Sequence, residues 1–164
     1  MPALLRGLGL AAIAGGALRV VDSFTTQSLS AGTLAALYFA TDLLLLLGIA
    51  GIYWSRRATL GIAGVIGAAI FVFGILLVRV SAFGVLRANG YQLAAALALV
   101  GLVILSTEAL LRRTDAGVSA PLWLVAFVLG VVGAFGVMTP VMTVLAGVAF
   151  GAGFVAAGIK VLAA

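Results

Sequence analysis

Apart from tyrosines and chain ends, thirteen side chains out of 164 residues are ionisable: nine arginines and lysines, and four acids, with no cysteine and no histidine. The acids are Asp22, Asp42, Glu108 and Asp115. The missing thiols and imidazoles exclude disulfides, thiol catalysis, Cys or His metal sites and His-ligated haem. They also remove the side chain that usually titrates near neutral pH. No phosphate-binding loop, dinucleotide fingerprint, HExxH helix, nucleophile elbow or EF-hand occurs, and the glycine-rich runs lie inside apolar segments that cannot cradle phosphate. No metal or cofactor is expected.

Asp42 is the most informative residue, because it is followed by the run Leu43 to Leu47. A bare carboxylate in an apolar segment costs several kcal/mol in a bilayer, so it must be protonated or paired. Arg79 is the expected partner. It lies about two turns closer to the exterior on the next helix but one from the N-terminus. Helical side chains lean toward their own N-terminus, so residues on two antiparallel helices lean toward each other. Tyr38 is one turn from Asp42 on the same face and Thr41 is adjacent. Arg19 and Asp22 stand three residues apart at the end of the first helix. Together Asp42, Arg79, Tyr38, Arg19, Asp22 and Thr41 are expected to line a polar pocket open to the exterior, rimmed by the stretch 23–30. The plainer alternative is a buried ion pair that sets helix register without a ligand.

Glu108 and Arg112, one helical turn apart, read as a structural ion pair at a membrane interface, with Arg56 or Arg57 also in reach. Asp115 reads as a solvated loop residue. Lys160, the sole lysine, reads as a snorkelling residue at a helix end and not as a Schiff-base former.

The elements that must position these groups follow from composition. The chain is 65% hydrophobic and 8% charged, with a mean hydropathy of +1.39. So few charges cannot cover a water-exposed surface, and the lipid bilayer is the solvent that fits. At about 20 residues per crossing there is room for roughly six spans and no soluble domain. The expected fold is an all-α integral membrane protein, one compact bundle of helices over 3–21, 32–54, 59–86, 91–111, 119–138 and 141–162. Residues 22–30, 55–57, 87–90, 112–117 and 139–140 supply the breaks. Ser119 and Pro121 suit the start of the fifth helix. The segment Met1 to Val21 resembles a signal peptide in outline, but Arg19 interrupts the cleavage region, and it reads as a retained first helix.

Net charge is +5. Arg6, Arg56, Arg57, Arg112, Arg113 and Lys160 fall on the side of the N-terminus, whereas Arg87, with Arg19 and Arg79 near helix ends, falls on the other. The positive-inside rule then places both termini in the cytoplasm. This use of the charge leaves no basic face for nucleic acid. Tyr53, Trp54 and Trp123 are expected in the interfacial aromatic belt on the cytoplasmic side. A bacterial or archaeal plasma membrane is the expected location.

Small residues supply the packing signal: Gly61, Gly64 and Gly67; Gly130, Gly133 and Gly136; Gly147 and Gly151. Helices in lipid associate by close backbone approach, which glycine permits. These stripes serve packing within the chain, or else contact with a second copy or a partner membrane subunit. The strings Ala63–Gly67 and Ala146–Gly151, and Leu47–Gly51 and Leu129–Gly133, also fit an inverted repeat of three helices per half, the symmetry of many transporters. Matches among Gly, Ala and Val come cheaply in this composition.

Three functions follow from the residues. One is binding or transport of a small amphiphile, isoprenoid or ion at the pocket around Asp42 and Arg79. Another is an accessory subunit of a larger membrane complex. The third is an intramembrane enzyme on a lipid or isoprenoid, with Asp42 as general acid and Phe71, Phe73 and Tyr38 lining a dry cavity.

Overall fold

The computed structural model describes residues 2–25, 30–82, 90–113, 117–136 and 138–163. It contains six helices: α1 (Ala3–Thr25), α2 (Ala31–Arg56), α3 (Ile62–Ala82), α4 (Gly90–Leu111), α5 (Ser119–Ala134) and α6 (Thr139–Ala163). No strand occurs among the described residues. Five helices are 21 to 26 residues long and apolar enough to cross a membrane. The protein is an all-α multi-pass membrane bundle. Its outer face carries Leu4, Phe24, Ile62 and Phe135, each at least 67% exposed, a surface that lipid tolerates and water does not.

Helix ends depart from the sequence reading where hydroxyls and special backbone intervene. α1 runs past Val21 because Ser23 Oγ and Thr25 Oγ1 donate back to the carbonyls of Arg19 and Val21, satisfying their polarity within the helix. Asp22 therefore lies inside a helix and not at the head of a loop. α2 starts where Ser30 Oγ accepts from the Thr33 amide at 3.3 Å, a normal N-cap. α3 starts at Ile62, three residues late, because Thr59 and Leu60 donate their amides to Arg56 and close the turn that ends α2. Of the turn expected at 87–90, residues 87–89 lie outside the described residues.

α5 stops at Ala134, four residues early, and 16 residues reach only about 24 Å, short of a ~30 Å hydrocarbon core. Gly136, at φ +83°, ends it in the left-handed region. Thr139 Oγ1 donates back to the Gly133 carbonyl at 3.1 Å. Pro140 sits in the first turn of α6, where it costs no hydrogen bond.

Successive helices are antiparallel. Along α1 and α2, Gly15 meets Leu44 and Leu45, Ala12 meets Gly48, and Leu8 meets Gly51. α6 lies along α1 and α5, α1 lies along α2, and α3 lies along α4. α4 and α5 share a shorter contact, and α2 touches α3 and α6 sparsely. The helices thus form a ring in chain order. Its centre is aromatic: Phe71 of α3 lies 5.5 Å from Phe154 and 6.2 Å from Phe150 of α6, and Trp123 of α5 lies 5.2 Å from Phe154.

Trp123 is therefore a core residue, 1% exposed, and not a member of an interfacial belt. α5 turns that face toward Gly153, whose missing side chain makes room for the indole. Trp54 does face outward, with the Arg57 guanidinium 4.4 Å over its ring. Of the glycines expected to pack on α5, Gly133 is buried and a Cβ there would lie 3.2 Å from Met142 Cβ, whereas one on Gly130 would reach only the tip of Leu99 at 3.4 Å and one on Gly136 would meet nothing within 4 Å.

Candidate functional site

Polar groups from four helices gather toward the end of the bundle opposite the termini. α1 contributes Arg19 and Asp22, one turn apart, near its C-terminal end. α2 contributes Tyr38, Thr41 and Asp42, within its first four turns. α3 contributes Arg79, one turn from the last described residue of that helix, Ala82.

Asp42 is the twelfth residue of α2, about 17 Å along its axis. Arg79 leans back along α3 and Asp42 leans back along α2, and because the helices are antiparallel the two side chains meet. The Arg79 Nε and Asp42 Oδ2 form an ion pair, 20% and 13% exposed, and neither atom has another partner. This pair bridges α2 and α3, a seam with few other contacts.

Asp22 is deeper, at 1% exposure. Its Oδ2 accepts from the Thr41 hydroxyl at 3.1 Å. Its Oδ1 is buried and has no hydrogen-bond partner. Arg19 acts electrostatically on both Asp22 and Asp42, and the two aspartates act on each other. Tyr38 lies within the fields of Arg19 and Asp22 and also of Tyr91, at the start of α4. The structure brings Thr41 to Asp22 and Arg79 to Asp42 in direct contact, with Arg19 and Tyr38 within electrostatic range of them. Tyr91 was not anticipated, although an aromatic residue directly after a polar turn was a signal for it. Two arginines offset two aspartates, so the cluster is formally neutral.

A groove of about 520 Å³ elsewhere on the bundle is apolar and lined by Ala17, Val20, Leu122, Ala152, Val155 and Ile159. It faces outward between α1, α5 and α6 and shares no residue with the cluster. The rim expected over 23–30 is helical through Thr25, and 26–29 lie outside the described residues. Nor does an aromatic cavity form around Asp42: Phe71 is fully buried in the core and Phe73 is 56% exposed on the outer face.

Glu108 and Arg112 form their ion pair at the opposite end. Glu108 Oε1 also accepts the Gly61 amide at 3.1 Å. It thereby caps α3 from α4, one of the free donors at that helix start finding a carboxylate. Arg57 lies over Trp54, and Lys160 runs beside Gly117 in the α4–α5 connection. Asp115 and Arg87 lie outside the described residues. No group of three acids able to hold a metal occurs among the described residues.

Fold and cluster together define a polytopic α-helical membrane protein with a charged, neutral-sum constellation inside its bundle. No family model matches the chain, and no curated protein or solved structure matches it either.

Proposed function

We propose that the protein binds a small ion or amphiphile at the cluster of Arg19, Asp22, Tyr38, Thr41, Asp42 and Arg79 and carries it across the bilayer, with both termini in the cytoplasm. The observation that carries this reading is Asp22, a fully buried carboxylate with one oxygen unpartnered. A packed interior does not leave such an acceptor empty without cost. A cation, an ammonium or a hydroxyl-bearing headgroup would satisfy it, and the adjacent Asp42–Arg79 pair offers both signs of charge to the remainder of a ligand. An ionisable group within a membrane bundle marks ligand or ion pathways by default.

The subunit reading draws less support, because most of the glycines that would offer a face to a partner already meet helices of the same chain. The enzyme reading also draws less support, because the group positioned beside Asp42 is the Arg79 guanidinium that pairs with it and not a second acid or base.

Native mass spectrometry of the protein extracted gently into nanodiscs tests the proposal. A retained small molecule is expected, and Asp22→Asn and Asp42→Asn should each lose it while eluting as folded protein. A chain that carries no small molecule, or one that keeps it in both variants, sinks the reading. A co-eluting polypeptide instead would favour the subunit.

A further inference from the structure

The contact between α3 and α4 and the contact between α6 and α1 are alike, each with a glycine facing a glycine over its backbone hydrogen bond. A Cβ on Gly67 would lie 2.7 Å from the Gly101 carbonyl and 2.7 Å from the Leu105 amide; one on Gly101 would meet the Gly67 carbonyl and the Phe71 amide. On the other pair, Gly151 meets the Gly16 carbonyl and the Val20 amide, and Gly16 meets the Gly151 carbonyl and the Val155 amide. In all four cases the atoms met are the carbonyl of the facing glycine and the amide four residues beyond it.

The match continues along both pairs. Seven residues after Gly101 and after Gly16 stand Glu108 and Ser23, which pack on Gly64 and Gly147. Three residues before them stand Ala98, whose backbone packs on Gly74, and Ile13, whose side chain reaches Gly158 beside the Gly9 carbonyl. Gly74 and Gly158 each follow the crossing glycine by seven residues, and a single inserted residue separates the two patterns before it. Shared composition yields glycines at helix crossings, but it does not by itself place a side chain seven residues beyond the facing glycine against the preceding glycine of both pairs.

We infer that the chain is an inverted repeat of two halves, α1–α3 and α4–α6, and that the halves exchange roles in a second conformation. α4 runs opposite to α1 because three antiparallel steps separate them, so the axis relating the halves lies in the membrane plane.

The halves differ in how their middle helices pack, and that difference defines the exchange. α2 lies along the first helix of its half and only touches the third, whereas α5 lies along the third helix of its half and meets the first over a shorter stretch. Both middle helices therefore clamp the α1–α6 pair. The α3–α4 pair is held across its α2 seam by the Asp42–Arg79 bond and at the centre by Phe71 against Phe150 and Phe154. The repeat supplies the inverse arrangement, in which α2 and α5 clamp α3–α4 and release α1–α6. Because the axis lies in the membrane plane, loosening beside α3–α4 on one side of the bilayer becomes loosening beside α1–α6 on the other. Phe71 sits at the pivot, and the Asp42–Arg79 pair is the tether that draws α2 toward α3. None of this depends on which ligand the cluster takes.

The chain has no cysteine, so introduced pairs take spin labels cleanly. Leu43 and Leu76 report the α2–α3 seam, and Val125 and Ile159 report the α5–α6 seam; all four face outward. Double electron–electron resonance in nanodiscs is expected to give two distances at each seam. Asp42→Asn, and independently Arg79→Gln, should lower the minor population about tenfold, the effect of a ~1.4 kcal/mol tether. The population at the shorter α2–α3 distance should fall together with that at the longer α5–α6 distance. A single distance at both seams in the wild-type protein overturns the inference, whatever the variants do. Because the distances report the helices and not a ligand, this failure is separate from failure of the binding proposal.

Discussion

Asp42 and Arg79 stabilise the bundle mainly by not being left alone. Removing one member strands a charge in an apolar interior, which costs about 3 kcal/mol or more, whereas removing both costs far less. Arg79→Ala should therefore destabilise the protein by about 3 kcal/mol, and Asp42→Ala combined with Arg79→Ala should recover most of that loss. A double-mutant cycle on unfolding in mixed micelles measures both terms. Equal losses in the single and double variants would mean that the two side chains do not act as a pair. Glu108 works differently, because it caps α3 through the Gly61 amide. Glu108→Gln keeps an acceptor and loses the charge, so a cost of about 1 kcal/mol is expected. Faster amide exchange confined to the first turn of α3 would locate it.

At the scale of the helix, glycine content matters less than what each glycine faces. Gly16 and Gly101 meet backbone atoms of the facing helix, which cannot rotate away, whereas Gly130 meets only the end of a leucine. Alanine at Gly16 or Gly101 should cost about 1–3 kcal/mol each by overpacking, and alanine at Gly130 should be close to neutral. Thermal unfolding of the three variants in one detergent distinguishes them, and similar losses at all three would show that glycine acts through something other than close approach. The helix ends teach a related lesson. Hydropathy places helices well but overlooks Ser23 and Thr25, whose hydroxyls bond to their own helix and let it continue. It also overruns Gly136, whose left-handed backbone stops α5.

For the molecule as a whole, arginine placement remains the argument for orientation. Six basic residues at the end that carries the termini, against the few at the other, would by that rule place Arg57 in the cytoplasm and Gly32 outside. In intact cells a membrane-impermeant maleimide should label a cysteine at Gly32 and spare one at Arg57; the opposite pattern would invert the topology. The candidate site was legible in part. An acid within a leucine run, a nearby arginine and a polar neighbour at helical spacing pointed to Asp42, Arg79 and Tyr38, because a bilayer penalises any charge it cannot explain. Tyr91 and the depth of Asp22 were not legible, since both depend on how α1, α2 and α4 approach one another at that end.

Composition and hydropathy by themselves determined that this chain lives in lipid, crosses it several times as helix, and must pair or neutralise Asp42. These conclusions rest on transfer free energies, which act on each segment separately and need no neighbour. Only the tertiary structure decided that Trp123 turns inward, that Phe71 joins the core while Phe73 faces outward, and that Asp22 is buried with one oxygen unpartnered. It alone set the two glycine crossings in the same register. Which face of a helix is buried depends on the rotation and depth at which helices dock, and in a sequence apolar on every side no single-helix pattern encodes either.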